Sequence, residues 1–430
     1  MEILPVRRLA IAGMVLFISA CAVSPASVLK GQGSWSSFQH NENGRSEEMA
    51  VVLHDGRVMV VSSNFNGSPE STTEIYDPRQ RSWSTASDMP EAVNSPTATV
   101  MADGRVLVAG GGVNANAGVH AQPTPSQAVN TALTFDPSSG TWAKVAPMNQ
   151  SRYLQSAVLL ADGRVLVIGG SNAKSKLASA EIFDPRSGKW MKTAEMAFAS
   201  ASPVVIALPD GRVLVTGGNS SSEAPPAALY DPRKNAWSNV KFPPAGYVVN
   251  SAFLSRAEQI VGFMERYQAT PSNNSGGQQQ GQAPDVIPFV FNLQSGVLQT
   301  GAIMPAGSSD VQASGFTPGT TLLSDGRLLT SDGIRTLLYN PAGNNWSVAP
   351  TSPAVPDTYG EISLLLDDGR VLVIGGDYFV LFDPNGVVAG PSPALIGSPE
   401  FSWWLTVIAA LMIVLVGAQY AWSRRSQRAT

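Results

Sequence analysis

The sequence predicts an all-β fold, a seven-bladed β-propeller, with an N-terminal signal segment before it and one C-terminal transmembrane helix after it. Three observations predict the ring. Asp-Gly-Arg recurs at Asp55, Asp103, Asp162, Asp210, Asp325 and Asp368, each time ahead of a largely apolar run such as VLVIGG. After each run a Tyr or Phe precedes Asp-Pro (Asn-Pro in the sixth copy), and six residues beyond that Asp or Asn stands a tryptophan: Trp83, Trp142, Trp190, Trp237 and Trp346. The Asp-Gly-Arg motifs are separated by 48, 59, 48, 115 and 43 residues, so the interval of 115 spans two repeats. Such self-similarity at a fixed period is the signature of a repeat architecture.

Each repeat reads as a four-stranded meander. Strand one is small and apolar, as in SAVLLA. Asp-Gly makes the tight turn, because these residues tolerate positive φ. Strand two is apolar on both faces, as expected where sheets stack against each other. Its terminal glycines allow a close backbone neighbour. Strand three ends where Pro stops the ladder, and strand four carries the tryptophan. The fifth, degenerate copy is SAFLSRAEQIVGFMERY, with Glu258 and Gln259 in the turn, Asn292 at the Asp position and Leu298 at the tryptophan position. The seventh copy lacks a tryptophan; Ala389 stands there. Gly33-Ser34-Trp35 matches Gly140-Thr141-Trp142 and Gly188-Lys189-Trp190. The N-terminal segment is therefore expected to supply the outer strand of the last blade and cover its open edge. The alternative is a strand formed by 386–390.

A period near 48 with paired glycines and a spaced tryptophan resembles the kelch repeat, and SRYLQSAVLLADGRVLVIGG is most similar to the propeller domain of the galactose-oxidase type. The resemblance spans 34–390 and implies the fold. Galactose oxidase relatives use copper held by tyrosines and histidines, with a cysteine bonded to one tyrosine. The single cysteine here is Cys21, and the three histidines are His40, His54 and His120. That set cannot be assembled, so neither copper nor any other cofactor or metal is expected, and no catalytic residues are assigned.

The chain ends carry their own signals. Residues 1–20 read as a signal peptide: Arg7 and Arg8, then an apolar stretch too short to span a bilayer well. Ile18-Ser19-Ala20-Cys21 resembles the lipobox of bacterial lipoproteins, which implies lipidation at Cys21. A linker follows over 21–33. After a second linker, 391–401, residues 402–422 form an uncharged stretch of spanning length with Trp403, Trp404, Tyr420 and Trp422 at its edges. Arg424, Arg425 and Arg428 in the tail 423–430 place that tail in the cytoplasm by the positive-inside rule. The expected location is the bacterial cell envelope, anchored in membrane lipid through Cys21 and the C-terminal helix, with the propeller on the periplasmic or extracellular side. Pro399-Glu400-Phe401, the helix and the arginines also resemble a sorting signal of the PEP-CTERM kind, under which the helix would be removed.

Function is less legible. A formal charge of −4 with no basic stripe argues against nucleic acid. Neither a nucleotide-binding GxGxxG nor a P-loop is present. Asp-Gly-Arg repeats once per blade, so it reads as a structural turn whose side chains tie neighbouring strands, not as a catalytic or adhesive motif. Insertions over 112–130 and 268–285 interrupt the same strand-two to strand-three connection in blades two and five, and long loops on a rigid scaffold are where binding concentrates. The same face should carry the blade-entry residues Arg152 and Tyr153, with Asn94 and Tyr359, and the strand-two ends Arg266, Tyr267, Asp377 and Tyr378. Arginine and tyrosine suit a partner hot spot or a polar ligand. The expectation is a binding or scaffold module for an unidentified protein or polysaccharide partner. The competing expectation is a carbohydrate epimerase, mutarotase or lyase.

Overall fold

Each repeat folds as a four-stranded antiparallel sheet, and the computed structural model contains seven of them. It describes residues 33–38, 45–64, 71–91, 93, 95–113, 127–218, 227–266, 285–305, 319–331, 335–350, 362–375 and 378–386. Blade 1 comprises β2 (Arg45–Val52), β3 (Val58–Asn64), β4 (Ser71–Asp77) and β5 (Ser82–Thr85). Blade 2 comprises β6 (Thr97–Val100), β7 (Val106–Ala109), β8 (Ala132–Asp136) and β9 (Thr141–Lys144). Blade 3 is built from β10 (Ser156–Leu159), β11 (Val165–Ile168), β12 (Ala180–Asp184) and β13 (Lys189–Lys192). Blade 4 uses β14 (Val204–Ala207), β15 (Val213–Thr216), β16 (Ala227–Asp231) and β17 (Ala236–Val240). In blade 5 the strands are β18 (Tyr247–Leu254), β19 (Gln259–Arg266), β20 (Val286–Asn292) and β21 (Leu298–Thr300). In blade 6 they are β22 (Thr321–Leu322), β23 (Leu328–Ser331), β24 (Thr336–Asn340) and β25 (Asn345–Val348). Blade 7 joins β26 (Ile362–Leu365), β27 (Val371–Gly375) and β28 (Tyr378–Asp383) to β1 (Ser34–Phe38), which comes from the other end of the chain.

The core is a set of interfaces between blades. The second strand of each blade is apolar on both faces and divides its side chains between two neighbours. Val58 and Val60 of β3 pack with Leu372, Ile374 and Phe379 of blade 7. The alternate residues Met59 and Val61 pack with Val106, Val108 and Phe135 of blade 2. Equivalent clusters join blades 2 and 3, 3 and 4, 4 and 5, 5 and 6, and 6 and 7. The cluster between blades 5 and 6 has the fewest fully buried members: Val261, Phe263, Leu328 and Tyr339.

The turns explain the motifs. Asp162 accepts a hydrogen bond from the Arg164 amide at 3.1 Å and from its Nε at 3.0 Å, and the glycine between them has φ +87°. Blade 5 puts Glu258 at the glycine position, and it adopts φ +57° without the benefit of a missing Cβ. Arg57, Arg327 and Arg370 also reach the next blade, donating to the carbonyls of Pro137, Pro384 and Pro78 at 3.3, 3.3 and 3.2 Å. The Asp or Asn before each Pro, or at the equivalent position, accepts from the amide two residues on, as Asp136 does from Ser138 at 2.9 Å.

β1 lies antiparallel to β28, with Ser34 opposite Asp383 and Phe38 opposite Phe379. Trp35 then repeats what the other blades do. Its ring centroid lies 5.0 Å from Phe382, as Trp142 lies 5.0 Å from Phe135 and Trp190 5.1 Å from Phe183. Its indole N–H donates to the Pro350 carbonyl of the preceding blade at 2.9 Å, matching Trp190 to Ala146 at 2.7 Å and Trp237 to Ala194 at 2.8 Å. These indoles are half-buried wedges between blades. The register sets Gly33 beside the end of β28, so the chain enters and leaves the propeller at one corner of blade 7. The signal peptide, Cys21, both linkers, Ala389 and residues 402–422 lie outside the described residues. Among the described residues no helix is long and apolar enough to cross a membrane.

Trp35→Ala should lower the melting temperature about as much as Trp190→Ala, each costing about 3 kcal/mol. A silent Trp35→Ala beside a damaging Trp190→Ala would make β1 dispensable. Stability should also depend on acid. Arg164 and Arg212 hold the Asp162 and Asp210 carboxyls below their ordinary range against the opposing push of burial. A folded pKa below the unfolded value stabilises the protein fully above about pH 4 and is lost as pH falls through the folded value. Thermal melts from pH 7 down to 3 should show that fall, and Asp162→Asn should make it shallower.

Candidate functional site

The four strands of a blade alternate in direction, so turns gather on two faces. Asp-Gly-Arg and Asp-Pro turns share one face. Blade-entry loops and the connections between second and third strands share the other, the loop face. Entry loops are fixed by backbone geometry: Ser95, Leu154 and Ser202, each two residues before an inner strand, have φ of 51°, 55° and 53°. The Ser202 amide donates to the Leu154 carbonyl at 2.6 Å, linking adjacent loops around the axis. The glycine pairs end the second strands against these loops. A side chain at Gly169 would collide with the Ser200 carbonyl, and the Gly170 amide donates to that carbonyl at 2.8 Å.

Arg152 sits at the centre of this arrangement. Its side chain and that of Glu181 are 0% and 1% exposed and form an ion pair at 3.0 Å. Arg152 also donates to the Gly169 and Ser179 carbonyls at 2.7 and 3.2 Å. Glu181 accepts from the Asn149 amide, the Asn149 Nδ2 and the Gln150 amide at 2.8, 2.7 and 3.0 Å. Burial pushes the Arg152 guanidinium pKa down, and Glu181 opposes that push. The expected binding-face arginine is thus an internal brace that pins the blade 3 entry loop to its own third strand. The physical reason is that a buried charge needs a partner and satisfied hydrogen bonds. Sequence reasoning missed Glu181, although SAEIFDP places a charge inside an otherwise apolar strand.

Tyr153 is half-buried and exchanges backbone hydrogen bonds with Ser171 at 3.0 and 2.8 Å. Arg266 is exposed at the tip of β19, with its guanidinium 5.9 Å from the Tyr247 ring centroid. Tyr378 opens β28 opposite Gly375. Asn94, Tyr267, Tyr359 and Asp377, and most of both insertions, lie outside the described residues. So the structure places Arg152 and Tyr153 together at the blade 3 entry and Arg266 apart, on blade 5. The inner strands of blades 2, 3, 4 and 7 read TATV, SAVL, VVIA and ISLL, a small and apolar lining. Blades 1 and 5 differ: their inner strands have eight residues rather than four, and each carries a bulge, between Glu47 and Met49 and between Val249 and Ser251.

Comparison with known proteins agrees with this geometry. Residues 94–149 and 152–197, blades 2 and 3, match the kelch motif. A solved structure described as a novel fungal alcohol oxidase with catalytic diversity among the AA5 family, in complex with copper, superposes with a TM-score of 0.57 at 17% identity, covering 82% of this chain and 76% of that one. No curated protein sequence matches. At that identity the likeness is one of fold. The copper is that protein's: in this chain His54 is exposed beside an Asp-Gly-Arg turn, on the face opposite the entry loops, and Cys21, His40 and His120 lie outside the described residues.

Arg152→Ala and Glu181→Ala should each cost about 3–5 kcal/mol, because each leaves a buried charge unpaired. The double variant should cost clearly less than the sum. Chemical denaturation of the three proteins measures this, and additive losses would mean the two side chains act independently.

Proposed function

We propose that the protein is a membrane-tethered kelch propeller that holds a protein or polysaccharide partner outside the cytoplasm. The observation that carries this reading is the closed seven-bladed kelch-type ring, in which the second-to-third-strand connections that hold both long insertions start from one face. The chain enters and leaves at the opposite face of blade 7, where Ser34 lies against Asp383. The arginine that the sequence best offers to a carbohydrate-modifying enzyme, Arg152, is instead buried and paired with Glu181 inside blade 3.

Pull-down from detergent extract should recover a partner with the full chain and lose it when 112–130 and 268–285 are both replaced by short Gly-Ser linkers. Recovery unaffected by the replacement would move binding off these loops. Anchoring is tested separately. Cys21→Ser should abolish labelling by a fatty-acid probe and leave the precursor uncut. Residue 22 is Ala, not the Asp associated with inner-membrane retention in some bacteria, so retention falls to the C-terminal helix. Undiminished labelling of Cys21→Ser would refute the lipid anchor.

A further inference from the structure

Charge is spread unevenly round the ring. Blade 3, residues 152–192, holds seven lysines and arginines against Asp162, Glu181 and Asp184, a net charge of +4. Blades 2 and 4 on either side of it, 97–144 and 203–240, each balance to zero. Blade 7, residues 351–386 with β1, has one arginine and six carboxylates, a net charge of −5. The whole chain carries −4, so blade 3 runs against the sign of the protein that holds it.

The fold uses up all three carboxylates of blade 3. Glu181 is buried against Arg152, and Asp162 pairs with Arg164 at 2.7 Å. Asp184 accepts from the Arg186 amide and the Ser187 hydroxyl, both at 2.9 Å. Lys174, Lys189 and Lys192 are exposed and make no ion pair among the described residues. Glu195, three residues beyond Lys192 on the connection to blade 4, is exposed as well. Lys174 stands on the loop face, in a short turn where Asn172 Oδ1 accepts from the Lys174 and Ser175 amides at 2.9 and 3.1 Å. Lys192 ends the outermost strand β13 opposite Glu181, and Lys189 begins it opposite Asp184. Exposed Arg186 lies in the Asp-Pro turn beyond, on the other face. Met191, 44% exposed, sits between the two strand lysines. The cations thus follow one line from the loop face, over the rim, to the opposite face.

We propose that this edge of blade 3 is a docking surface for an acidic polysaccharide, a chain of sugars that carry carboxylates. Charge complementarity sets the sign of the partner, and the course of the line sets its shape. A bilayer is flat and meets one side of a convex rim at a time, whereas a flexible polymer can follow cations round three sides. Lysines are point charges on flexible stems, which suits repeated carboxylates held in no fixed geometry. Met191 offers an apolar contact for the C–H face of a sugar ring. This inference rests on the binding reading above and narrows it to an acidic polysaccharide.

The test is calorimetric titration of the full chain in detergent with polygalacturonate, and with pullulan as the neutral control, at about 50 mM salt. Polygalacturonate should bind and pullulan should not. Raising the salt to about 0.5 M should weaken binding at least tenfold. The triple variant Lys174→Gln, Lys189→Gln, Lys192→Gln should also bind about tenfold more weakly, with its melting temperature unchanged because the three side chains are exposed. Lys234→Gln on blade 4, where Lys234 pairs with Asp231 at 3.6 Å, should leave the affinity as it is. Amine acetylation read by mass spectrometry locates the contact: the polymer should protect Lys174, Lys189 and Lys192 and leave Lys234 reactive. No binding of polygalacturonate, equal binding of pullulan, or unchanged affinity in the triple variant would overturn the proposal. If the lysines only guard an edge strand from pairing, the triple variant would self-associate and keep its affinity for the polymer. Protection of the three lysines by phosphatidylglycerol discs, with the full chain reconstituted in them and no polymer present, would assign the surface to lipid instead. Partner recovery in the pull-down without polygalacturonate binding would sink this surface and keep the binding module; loss of both would sink the two together.

Discussion

The structure depends on one constraint: each sheet is apolar on both faces and must be covered on both. A layered sandwich has outer faces that can turn to water. This ring has none to spare, because strands such as β3 and β11 send alternate residues to two different neighbours. Seven clusters therefore share the core, one at each blade boundary. No blade can be stable alone, and the ring holds only if it closes. The half-buried tryptophans and the arginines that reach the next blade's proline carbonyl are further ties across the same boundaries.

The spacing arithmetic made this legible. The turn, the apolar run and the tryptophan each mark a strand, and counting them to seven needs no tertiary information. The closing strand was legible for the same reason, since Gly33-Ser34-Trp35 carries the local pattern of a fourth strand and blade seven lacks one. Arg152 was read in the opposite sense from its place in the structure. In a linear sequence an arginine beside a tyrosine in a loop resembles a contact residue. Only the fold brings Glu181, twenty-nine residues away, into ion-pair distance. The bulge at Asn250 was equally silent, because one extra residue in a strand leaves no compositional mark.

The loop face is uneven. Around blades 2 to 4 it is tightly laced: glycine amides donate to entry-loop carbonyls, and Arg152 pairs with Glu181, although Arg152 Nε, Gln155 Oε1 and Thr216 Oγ1 stay buried without a hydrogen-bond partner. At blade 5 a longer hairpin rises and three polar atoms lack partners. The two regions obey the same rule, that buried polar groups need partners. In the first the chain supplies most of them. In the second three of them go without, and the degenerate turn with Glu258 in place of glycine belongs to that same blade.

The pairing of β1 with β28 imposes an order on folding. β1 is the first part of the propeller to be synthesised and its partner is the last, and the Trp35 indole donates to a carbonyl 315 residues away. A pairing that distant forms slowly, because the chain between must be ordered before the contact is rewarded. Its entropic cost grows only as the logarithm of the separation, so distance delays closure without forbidding it. Until then β1 waits as a five-residue strand, SWSSF, too short and too serine-rich to be a strong template for aggregation. A chain truncated within any blade never acquires the edge that β1 fits. The first strand thus acts as a check on completeness: the ring seals only around a chain that has been made to its last blade.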